Sequence, residues 1–218
     1  MNILGLVLSY VLVFVIIGLS TILQKKGVLG DEGARKFIHI GVANWWVLAM
    51  FTFDNVWYAI IPPITFIILN YYSYKTNLIK SMERSGNGNL GTVYFPISLL
   101  ILVILTFGVT FEPLIGAIGI LTLGYGDGLA AVIGSKFGKR KLIYGKSVEG
   151  SLTMLAATFV VTFILLAFNF SIPISLAVAL VLAISATMIE LYTPKGLDNL
   201  TVPLLTSLIY YLIFIAIL

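Results

Sequence analysis

The sequence contains no cysteine, only one histidine and few charged residues. Asp, Glu, Lys and Arg together make up 10% of its 218 residues. Without cysteine the chain cannot form a disulfide framework or a thiolate metal site, and one histidine cannot form a multi-histidine metal cage. A metal ion bound by this chain would therefore need oxygen ligands.

Hydrophobic residues, by contrast, are abundant. They make up 60% of the chain, and the mean hydropathy of +1.08 is far above the range of soluble domains. The formal net charge is +4, which in a soluble protein would suggest a nucleic-acid partner. In so apolar a chain the excess of Lys and Arg first indicates how membrane helices are oriented, and we expect no nucleic-acid partner.

Long apolar runs predict an all-α, polytopic membrane protein with about eight spanning helices in one bundle and one domain. A helix needs about 20 mostly apolar residues to cross the hydrocarbon core. The candidate segments are 3–23, 37–53, 56–72, 93–108, 114–133, 152–168, 173–191 and 202–218. The second and third are short and nearly continuous, so a kinked or re-entrant hairpin, with seven crossings in total, is an alternative.

The basic residues indicate which side of the bilayer each loop faces. All 13 Lys and Arg residues fall in alternate loops, at about 24–36, 73–92, 134–151 and 192–201. By the positive-inside rule these four loops are cytoplasmic, which puts both termini outside. The pattern predicts a multi-pass protein of the cell membrane whose charged loops face the cytoplasm.

Polar residues within the predicted spans gather at one depth. Asp127, Asn70 and Glu190 lie about 20–25 Å from the outer ends of their helices, at about 1.5 Å per residue. Arg35 and Glu149 begin helices from the same side. A charge inside a span is expensive and therefore a functional candidate. Because these groups converge on the inner interface and not on the midplane, they favour an enzyme acting on a lipid over a transporter.

The most informative stretch runs from Gly124 to Ser151. It combines glycines, which let a backbone approach phosphates, with five basic residues and the carboxylates of Asp127 and Glu149, which could hold Mg²⁺. These are the components of a phosphoryl-transfer site. Close helix packing explains the glycines equally well, but it does not explain a carboxylate within an apolar span.

Two further clusters extend the candidate site. Arg35, Lys36 and His39 lie near the start of a helix, where basic groups can clamp phosphates or simply mark the end of a span. The seventh span ends in a polar turn, whose oxygen atoms could bind a metal ion or a hydroxyl group. The turn and the helix end before it contribute Glu190, Asp198 and Asn199.

Several motifs follow one another along most of the chain. They are Arg35-Lys36-x-x-His39, Asn70, Gly91 to Pro96, Gly126-Asp-Gly-Leu-Ala130 with Gly134 and Gly138, Gly145 to Ser151, and Glu190 with Leu197 to Pro203. In this order they resemble the family of dolichol kinases, phytol kinases and CTP-dependent diacylglycerol kinases, relatives of the phosphatidate cytidylyltransferases. The chain departs from the pattern at one point, because the acid expected directly before the Arg-Lys pair is absent and the nearest acids are Asp31 and Glu32.

The resemblance implies phosphoryl transfer from a nucleoside triphosphate, typically CTP, to the hydroxyl of a membrane isoprenoid alcohol or diacylglycerol, with Mg²⁺ or another divalent cation. We assign candidate residues to such a site in three groups. The catalytic group is Asp127, Lys146 and Glu149. The nucleotide-binding group is Arg35, Lys36, His39, Asn70, Gly126, Gly128, Gly134, Lys136, Gly138 and Ser147. The metal-binding group is Asp127, Glu149, Glu190, Asp198 and Asn199.

Two other functions stay open at this point. A cytidylyltransferase would attach CMP to a lipid phosphate and release pyrophosphate, whereas a kinase releases a nucleoside diphosphate. A small transporter or flippase would favour an internal repeat and charge at the midplane, and the sequence shows neither. The acceptor alcohol and the oligomeric state are also open, with a homodimer as one alternative.

Overall fold

Helices make up almost all of the computed structural model, which describes residues 1–76, 90–194 and 196–217. The α-helices are α1 Asn2–Lys25, α2 Asp31–Ala43, α3 Trp45–Thr52, α4 Val56–Ala59, α5 Ile61–Thr76, α6 Gly91–Gly108, α7 Pro113–Leu121, α8 Gly128–Phe137, α9 Val148–Ala167, α10 Ile172–Tyr192 and α11 Asp198–Ile217. A π-helical segment, Thr122–Asp127, joins α7 to α8, and a 3-10 turn, Ile143–Gly145, precedes α9. No β-strand forms within the described ranges, so the predicted all-α fold is confirmed.

Seven helical stretches of the described chain are long and apolar enough to cross a membrane. They are Asn2–Lys25, Val56–Thr76, Gly91–Gly108, Pro113–Phe137, Val148–Ala167, Ile172–Tyr192 and Asp198–Ala216. Each coincides with a predicted segment, so the protein is a multi-pass membrane protein. The segment predicted at 56–72 is a full-length helix with an irregularity at Ile60, between α4 and α5.

The remaining predicted segment, 37–53, is a broken helix. α2 and α3 are separated at Asn44, whose side-chain amide donates to the carbonyls of Ile40 (2.9 Å) and Gly41 (3.3 Å). The Asn44 side chain thus bonds to carbonyls at the end of α2, and these hydrogen bonds compete with the backbone hydrogen bonds of a continuous helix. The side-chain oxygen Oδ1 of Asn44 accepts a hydrogen bond of 2.9 Å from the Tyr125 hydroxyl, so the break contacts the π-helical segment.

Together α2 and α3 run the whole length of α1. At one end of α1 the Asn2 amide donates to Asp54 Oδ1 (2.5 Å), and at the other end the Gln24 amide donates to Asp31 Oδ1 (2.9 Å). The pair begins and ends level with a helix that is long enough to span, so an eighth crossing by α2 and α3 stays a prediction beside the seven spans that the structure shows. The placement of both termini outside stays a prediction.

Four helix starts and four helix ends lie on one side of the bundle. There α1, α5, α8 and α10 end, and α2, α6, α9 and α11 begin. The Asn70 amide donates to the Thr92 carbonyl across two of these ends (2.8 Å), and Lys146 pairs with Glu190 across two others (2.7 Å). The described parts of the four predicted basic loops therefore share this side, and 77–89 and Lys195 lie outside the described residues.

The packed core surrounds α7, in which every residue from Leu114 to Leu121 is buried. Trp45 and Trp46 of α3 are fully buried, and their indole N–H groups donate to Ser9 Oγ (2.7 Å) and to the Pro113 carbonyl (3.0 Å). Internal partners are required here because a bilayer offers no water to satisfy a polar group. This packing fixes the central helix that leads into the π-helical segment and the site below.

Candidate active site

Asp127 is the last residue of the π-helical segment, and it is buried. π-helical turns are uncommon and occur frequently at functional sites. Two glycines bring neighbouring helices close to this turn. A Cβ atom on Gly126 would lie 2.7 Å from Met154 Sδ on α9, and one on Gly128 would lie 2.5 Å from Ile40 Cγ1 on α2. The Asp127 carboxylate is therefore held on a tightly packed helical support.

The buried carboxylate of Asp127 is paired with Lys36. The Lys36 Nζ atom lies 2.5 Å from Asp127 Oδ2, and His39 Nε2 lies 3.6 Å from the same oxygen. His39 Nε2 is also 3.3 Å from the Leu123 carbonyl oxygen. A buried charge is tolerated only when it is paired. The predicted basic cluster of α2 thus holds Asp127 directly, a contact that the sequence analysis did not predict.

Lys146 forms a second buried ion pair. Its Nζ atom lies 2.7 Å from Glu190 Oε1 and 4.0 Å from Asp198 Oδ2, and it also donates to the backbone carbonyl of Glu190. Lys146 follows a tight turn in which Tyr144 and Gly145 have φ angles of 53° and 71°. Glycine adopts this left-handed conformation without strain. The turn directs the Lys146 side chain into the bundle, whereas most basic residues of this loop are exposed.

Three carboxylates converge between these two lysines. One oxygen atom from each of Asp127, Glu190 and Asp198 lies within 4.8 Å of the others, and all three side chains are buried. Counted with Lys36 and Lys146, the three carboxylates give the cluster a formal net charge of −1. Hard oxygen ligands in this number suit Mg²⁺. We call these five residues the acidic cluster.

A polar cavity of about 230 Å³ lies over the acidic cluster. The first turns of α2, α6, α9 and α11 all line it. Unpaired N–H groups and the positive end of the helix dipole make such first turns favourable for anions. Ser147 caps α9, and its hydroxyl accepts a hydrogen bond of 3.1 Å from the Gly150 N–H. The polar cavity therefore combines cation ligands with a surround that favours phosphate groups.

Arg35 lines this cavity and has an acidic partner. Its Nε atom donates to Glu32 Oε2 (3.3 Å), and its guanidinium also pairs with Glu32 Oε1. The acid that is missing directly before the Arg-Lys pair is thus supplied one helical turn earlier. Lys36 points inward to the acidic cluster, while the Arg35 side chain keeps 19% of its surface exposed.

An apolar cavity of about 110 Å³ adjoins the polar cavity, with walls formed by α1, α2, α5 and α6. The two cavities share four residues, which are Arg35, Gly91, Thr92 and Asn199. His39 and Asn70, both assigned to the nucleotide from the sequence, line the apolar cavity and not the polar one. The site therefore has two adjoining compartments of different chemistry.

The polar cavity brings together nine of the residues selected from the sequence. They are Arg35, Lys36, Asp127, Gly134, Lys146, Ser147, Glu190, Asp198 and Asn199. Among the glycines, Gly134 lines the cavity and approaches the α9 cap, since a Cβ atom there would lie 3.0 Å from Ser147 Oγ. Residues from five separate stretches of the chain thus meet in one place.

Other selected residues lie outside the polar cavity. The Glu149 carboxylate is directed to the preceding loop, where it accepts a hydrogen bond of 3.1 Å from the Lys139 N–H. Lys136 is exposed, with its Nζ atom 5.3 Å from the centroid of the Phe137 ring. Gly126 and Gly128 pack against neighbouring helices, which for Gly128 is the role that the packing alternative proposed. A Cβ atom on Gly138 would lie 2.6 Å from Ser147 Oγ, so Gly138 packs beneath the α9 cap.

Sequence reasoning missed several residues that line the polar cavity, notably Glu32, Ser135 and Gly196. Position along the chain is the signal that could have found Ser135. It is a hydroxyl residue in the last turn of a helix, on the side where the basic loops lie. Glu32 could have been found as the i−3 partner of Arg35 on one helical face.

Relatives of this chain are known among curated proteins. It is 34% identical over 194 residues to the phytol kinase of Synechocystis sp., covering 87% of this chain and 83% of that protein. It is 29% identical over 218 residues to the chloroplastic phytol kinase 1 of Arabidopsis thaliana, covering 88% and 70%. A probable chloroplastic phytol kinase of Triticum aestivum is 28% identical over 216 residues, covering 88% and 71%.

No family model and no solved structure matches the chain. The similarity to the Synechocystis protein nevertheless extends over most of both chains at 34% identity. The stretch of 194 aligned residues is long enough to include most of the helices that form the two cavities. The chain therefore belongs to the family of polyprenol and phytol kinases.

Proposed function

We propose that the protein is a lipid kinase that transfers a phosphoryl group from a nucleoside triphosphate, CTP before others, to the hydroxyl of an isoprenoid alcohol in the membrane. Relatives that bear the name phytol kinase support this activity. The observation that carries the proposal is the acidic cluster at the junction of a polar and an apolar cavity. At such a junction a water-soluble donor can meet a lipid acceptor.

The acidic cluster fits a divalent cation, Mg²⁺ before others. Asp127, Glu190 and Asp198 offer oxygen ligands, and their net charge of −1 with the two lysines favours a further positive charge. Once bound, the cation would offset the negative charge of the phosphates and orient them. Lys36 and Lys146 hold the carboxylates in their converging arrangement.

Basic groups and helix N-termini bind the triphosphate in this proposal. Arg35 offers a planar fork that matches two phosphate oxygens, whereas Lys146 offers a point charge. The first turns of α6 and α9 contribute N–H groups beside Gly91 and Ser147. Donors that are fixed before the reaction stabilise charge on the transferring group most effectively, because they need no reorganisation.

In the phosphoryl transfer, the hydroxyl oxygen of the alcohol forms a bond to the γ-phosphorus, and the bond from that phosphorus to the β,γ-bridging oxygen breaks. The nucleoside diphosphate leaves with the bonding electrons, and the hydroxyl proton passes to the Asp127 carboxylate. Asp127 suits this role because it lines the polar cavity and contacts His39, which lines the apolar one.

The experiment uses the purified protein in nanodiscs with Mg²⁺. γ-Labelled CTP, ATP, GTP and UTP are offered against the alcohols phytol, geranylgeraniol, dolichol and diacylglycerol and, for the cytidylyltransferase, against phytyl phosphate and phosphatidate. Products are identified by thin-layer chromatography and mass spectrometry. We expect an isoprenyl phosphate and a nucleoside diphosphate, with CTP as the preferred donor. A CDP-linked lipid with released pyrophosphate would replace the kinase by a cytidylyltransferase, and the absence of turnover on every acceptor would refute the proposal.

We further propose that the protein lies in the cell membrane and that the polar cavity opens to the cytoplasm, as the basic loops suggest. The cysteine-free sequence allows a direct test with one introduced thiol. Lys139→Cys, in an exposed loop beside the cavity, should react with a membrane-impermeant maleimide in inverted vesicles and not in intact cells. The opposite result would reverse the orientation.

A further inference from the structure

The apolar cavity is open to the surroundings of the bundle along the seam between α1 and α5. These helices touch where the Tyr10 hydroxyl lies 2.9 Å from Thr65 Oγ1. One turn further along both helices, Phe14 and Leu69 line the cavity, and their side chains are still 60% and 45% exposed. Residues that are part of the cavity wall and of the outer surface mark a lateral opening, and in a membrane protein such an opening faces lipid.

The inner end of the same cavity is polar. His39 lines it and lies 3.6 Å through Nε2 from Asp127 Oδ2, in the polar cavity. Asn70 also lines it, and its amide N–H donates to the Thr92 carbonyl (2.8 Å), so the amide oxygen faces away from that bond as an acceptor. Thr92 lines both cavities. The cavity therefore has an apolar entrance towards lipid and hydrogen-bonding groups at the point where it meets the acidic cluster.

We propose that this cavity receives the isoprenoid chain next to the hydroxyl group of the acceptor, and that His39 and Asn70 position the hydroxyl at the junction with the polar cavity. The inference rests on the proposed kinase function and adds the binding site and direction of entry of the lipid. It moves His39 and Asn70 from the nucleotide to the acceptor. His39 and Asn70 act as positioning residues, because they orient the oxygen that attacks.

The size of the cavity decides how much of the alcohol it encloses. Pockets for whole drug-sized ligands measure roughly 300–1,000 Å³, and this cavity measures about 110 Å³. It therefore takes only the isoprene units beside the hydroxyl, while the rest of the chain leaves between Phe14 and Leu69 into the bilayer. A site of this kind selects the branched, hydroxyl-bearing end of the lipid and tolerates chains of different length.

The first test replaces a side chain that lines the apolar cavity with a larger one. Val42 of α2 lines it and is partly buried, whereas Val47 of α3 lines neither cavity and is 37% exposed. We expect Val42→Phe to raise KM for geraniol, geranylgeraniol and phytol about tenfold and to leave KM for CTP unchanged. Val47→Phe is the matched control and should change neither constant. Unchanged KM for all three alcohols in a folded Val42→Phe protein would overturn the proposal and leave the kinase activity standing.

The second test measures whether His39 and Asn70 position the hydroxyl group. We expect His39→Ala and Asn70→Ala to raise KM for the alcohol or lower kcat about tenfold, with KM for CTP changed less than twofold. Asn70→Gln, which keeps the amide, should recover part of the loss. A rise in KM for CTP alone would return both residues to the nucleotide site and contradict the inference.

The third test needs no turnover and therefore separates this inference from the kinase activity. A phytol analogue with a diazirine near the hydroxyl is photolysed with the wild-type protein in nanodiscs without nucleotide. We expect labelling at Phe14, Ile17 and Leu69 that excess phytol removes, with little at Ile68, a neighbour that is 64% exposed and lines neither cavity. This result would support the cavity even if no alcohol were phosphorylated, whereas equal labelling of Ile68 and Leu69 would overturn it.

Discussion

The polar and apolar cavities share a wall, yet they are built from different parts of the helices. The polar cavity is lined by first and last turns, where Lys146, Ser147 and Asp198 lie close to the loops. The apolar cavity is lined mainly by side chains further along α1, α2, α5 and α6, such as Phe14 and Val42. Helix ends carry unsatisfied backbone groups that favour ions, whereas helix interiors have satisfied backbones and present only side chains.

The two compartments meet where the helices pass from their polar ends to their apolar interiors. α2 contributes to both, because its first two turns carry Arg35 and Lys36 and its later turns carry Ile38 and Val42. A helix that enters a membrane changes from a polar to an apolar environment within about two turns, or roughly 11 Å. A reaction between a charged donor and a lipid alcohol requires both environments within that distance. Variants on either side of the shared wall test whether the two compartments have separate roles.

The largest effect is expected from Asp127→Asn, which removes the carboxylate nearest to both compartments. We expect turnover to fall about a thousandfold, because the acidic cluster loses a cation ligand and the acceptor of the hydroxyl proton. The initial rate of lipid phosphate formation measures this loss, and size-exclusion chromatography checks folding. Lys139→Ala, in an exposed loop, is the control and should change the rate less than twofold. Similar rates in the two variants would remove Asp127 from the site.

The next effect separates carboxylates that line the polar cavity from one that does not. Glu190→Gln and Asp198→Asn should each lower turnover about a hundredfold at low Mg²⁺ and recover partly at high Mg²⁺, because they weaken the cation site. Glu149→Gln is the matched control, since its carboxylate contacts the Lys139 N–H outside the cavity. The rate is measured against Mg²⁺ concentration. A Glu149 variant as impaired as the other two would restore Glu149 to the metal shell.

A smaller effect is expected at the shared wall. Arg35→Lys keeps the charge but loses the planar fork that matches two phosphate oxygens. We expect KM for CTP to rise about tenfold, corresponding to about 1.4 kcal/mol, with a smaller change in KM for the alcohol. Arg140→Lys, on the exposed loop, should leave both constants unchanged. A larger change for the alcohol than for CTP would assign Arg35 to the apolar compartment.

The smallest effect on catalysis is expected from Gly126→Ala, which acts on the support of the site. The added Cβ atom would lie 2.7 Å from Met154 Sδ and from Thr158 Oγ1, so it should lower the stability of the fold by about 1–3 kcal/mol. Thermal unfolding in detergent measures this change. Gly18→Ala in α1 is the control, because its Cβ atom would meet no atom within 4 Å. An equal melting temperature in both variants would remove the packing role of Gly126.

Several features of the fold were predictable because the bilayer imposes them. The length of a spanning helix and the exclusion of charge from its centre make the spans visible in the sequence. The break at Asn44 was not predictable in this way, because an asparagine is compatible with a regular helix until its side chain finds local carbonyls to bond. The sequence marked 37–53 and 56–72 only as a short pair that could form a kinked or re-entrant hairpin, and contacts such as that of Asn44 with Tyr125 decided where the break lies.

In the candidate site, too, some features were predictable from the sequence and others were not. Asp127 and Glu190 were selected because carboxylates within apolar spans need a reason to be there, and Asp198 because a polar turn offers oxygen ligands. Glu149 was selected at a helix start in the glycine-rich stretch, yet its carboxylate bonds to a loop N–H outside the polar cavity. The sequence could not choose among Glu149, Glu190 and Asp198 as metal ligands. Only the rotation of each helix about its own axis separates a residue that faces the cavity from one that faces the loop.

Hydropathy, charge and motifs are local properties of the chain. They were therefore enough to identify a helical membrane protein, the residues that carry charge near the membrane, and the family. The tertiary structure decided the pairing of Lys36 with Asp127, 91 residues away, and of Lys146 with Glu190, 44 residues away. It also decided that His39 and Asn70 line the apolar cavity. These relations depend on how far each helix is rotated and how closely its neighbours approach, and long-range packing alone sets both.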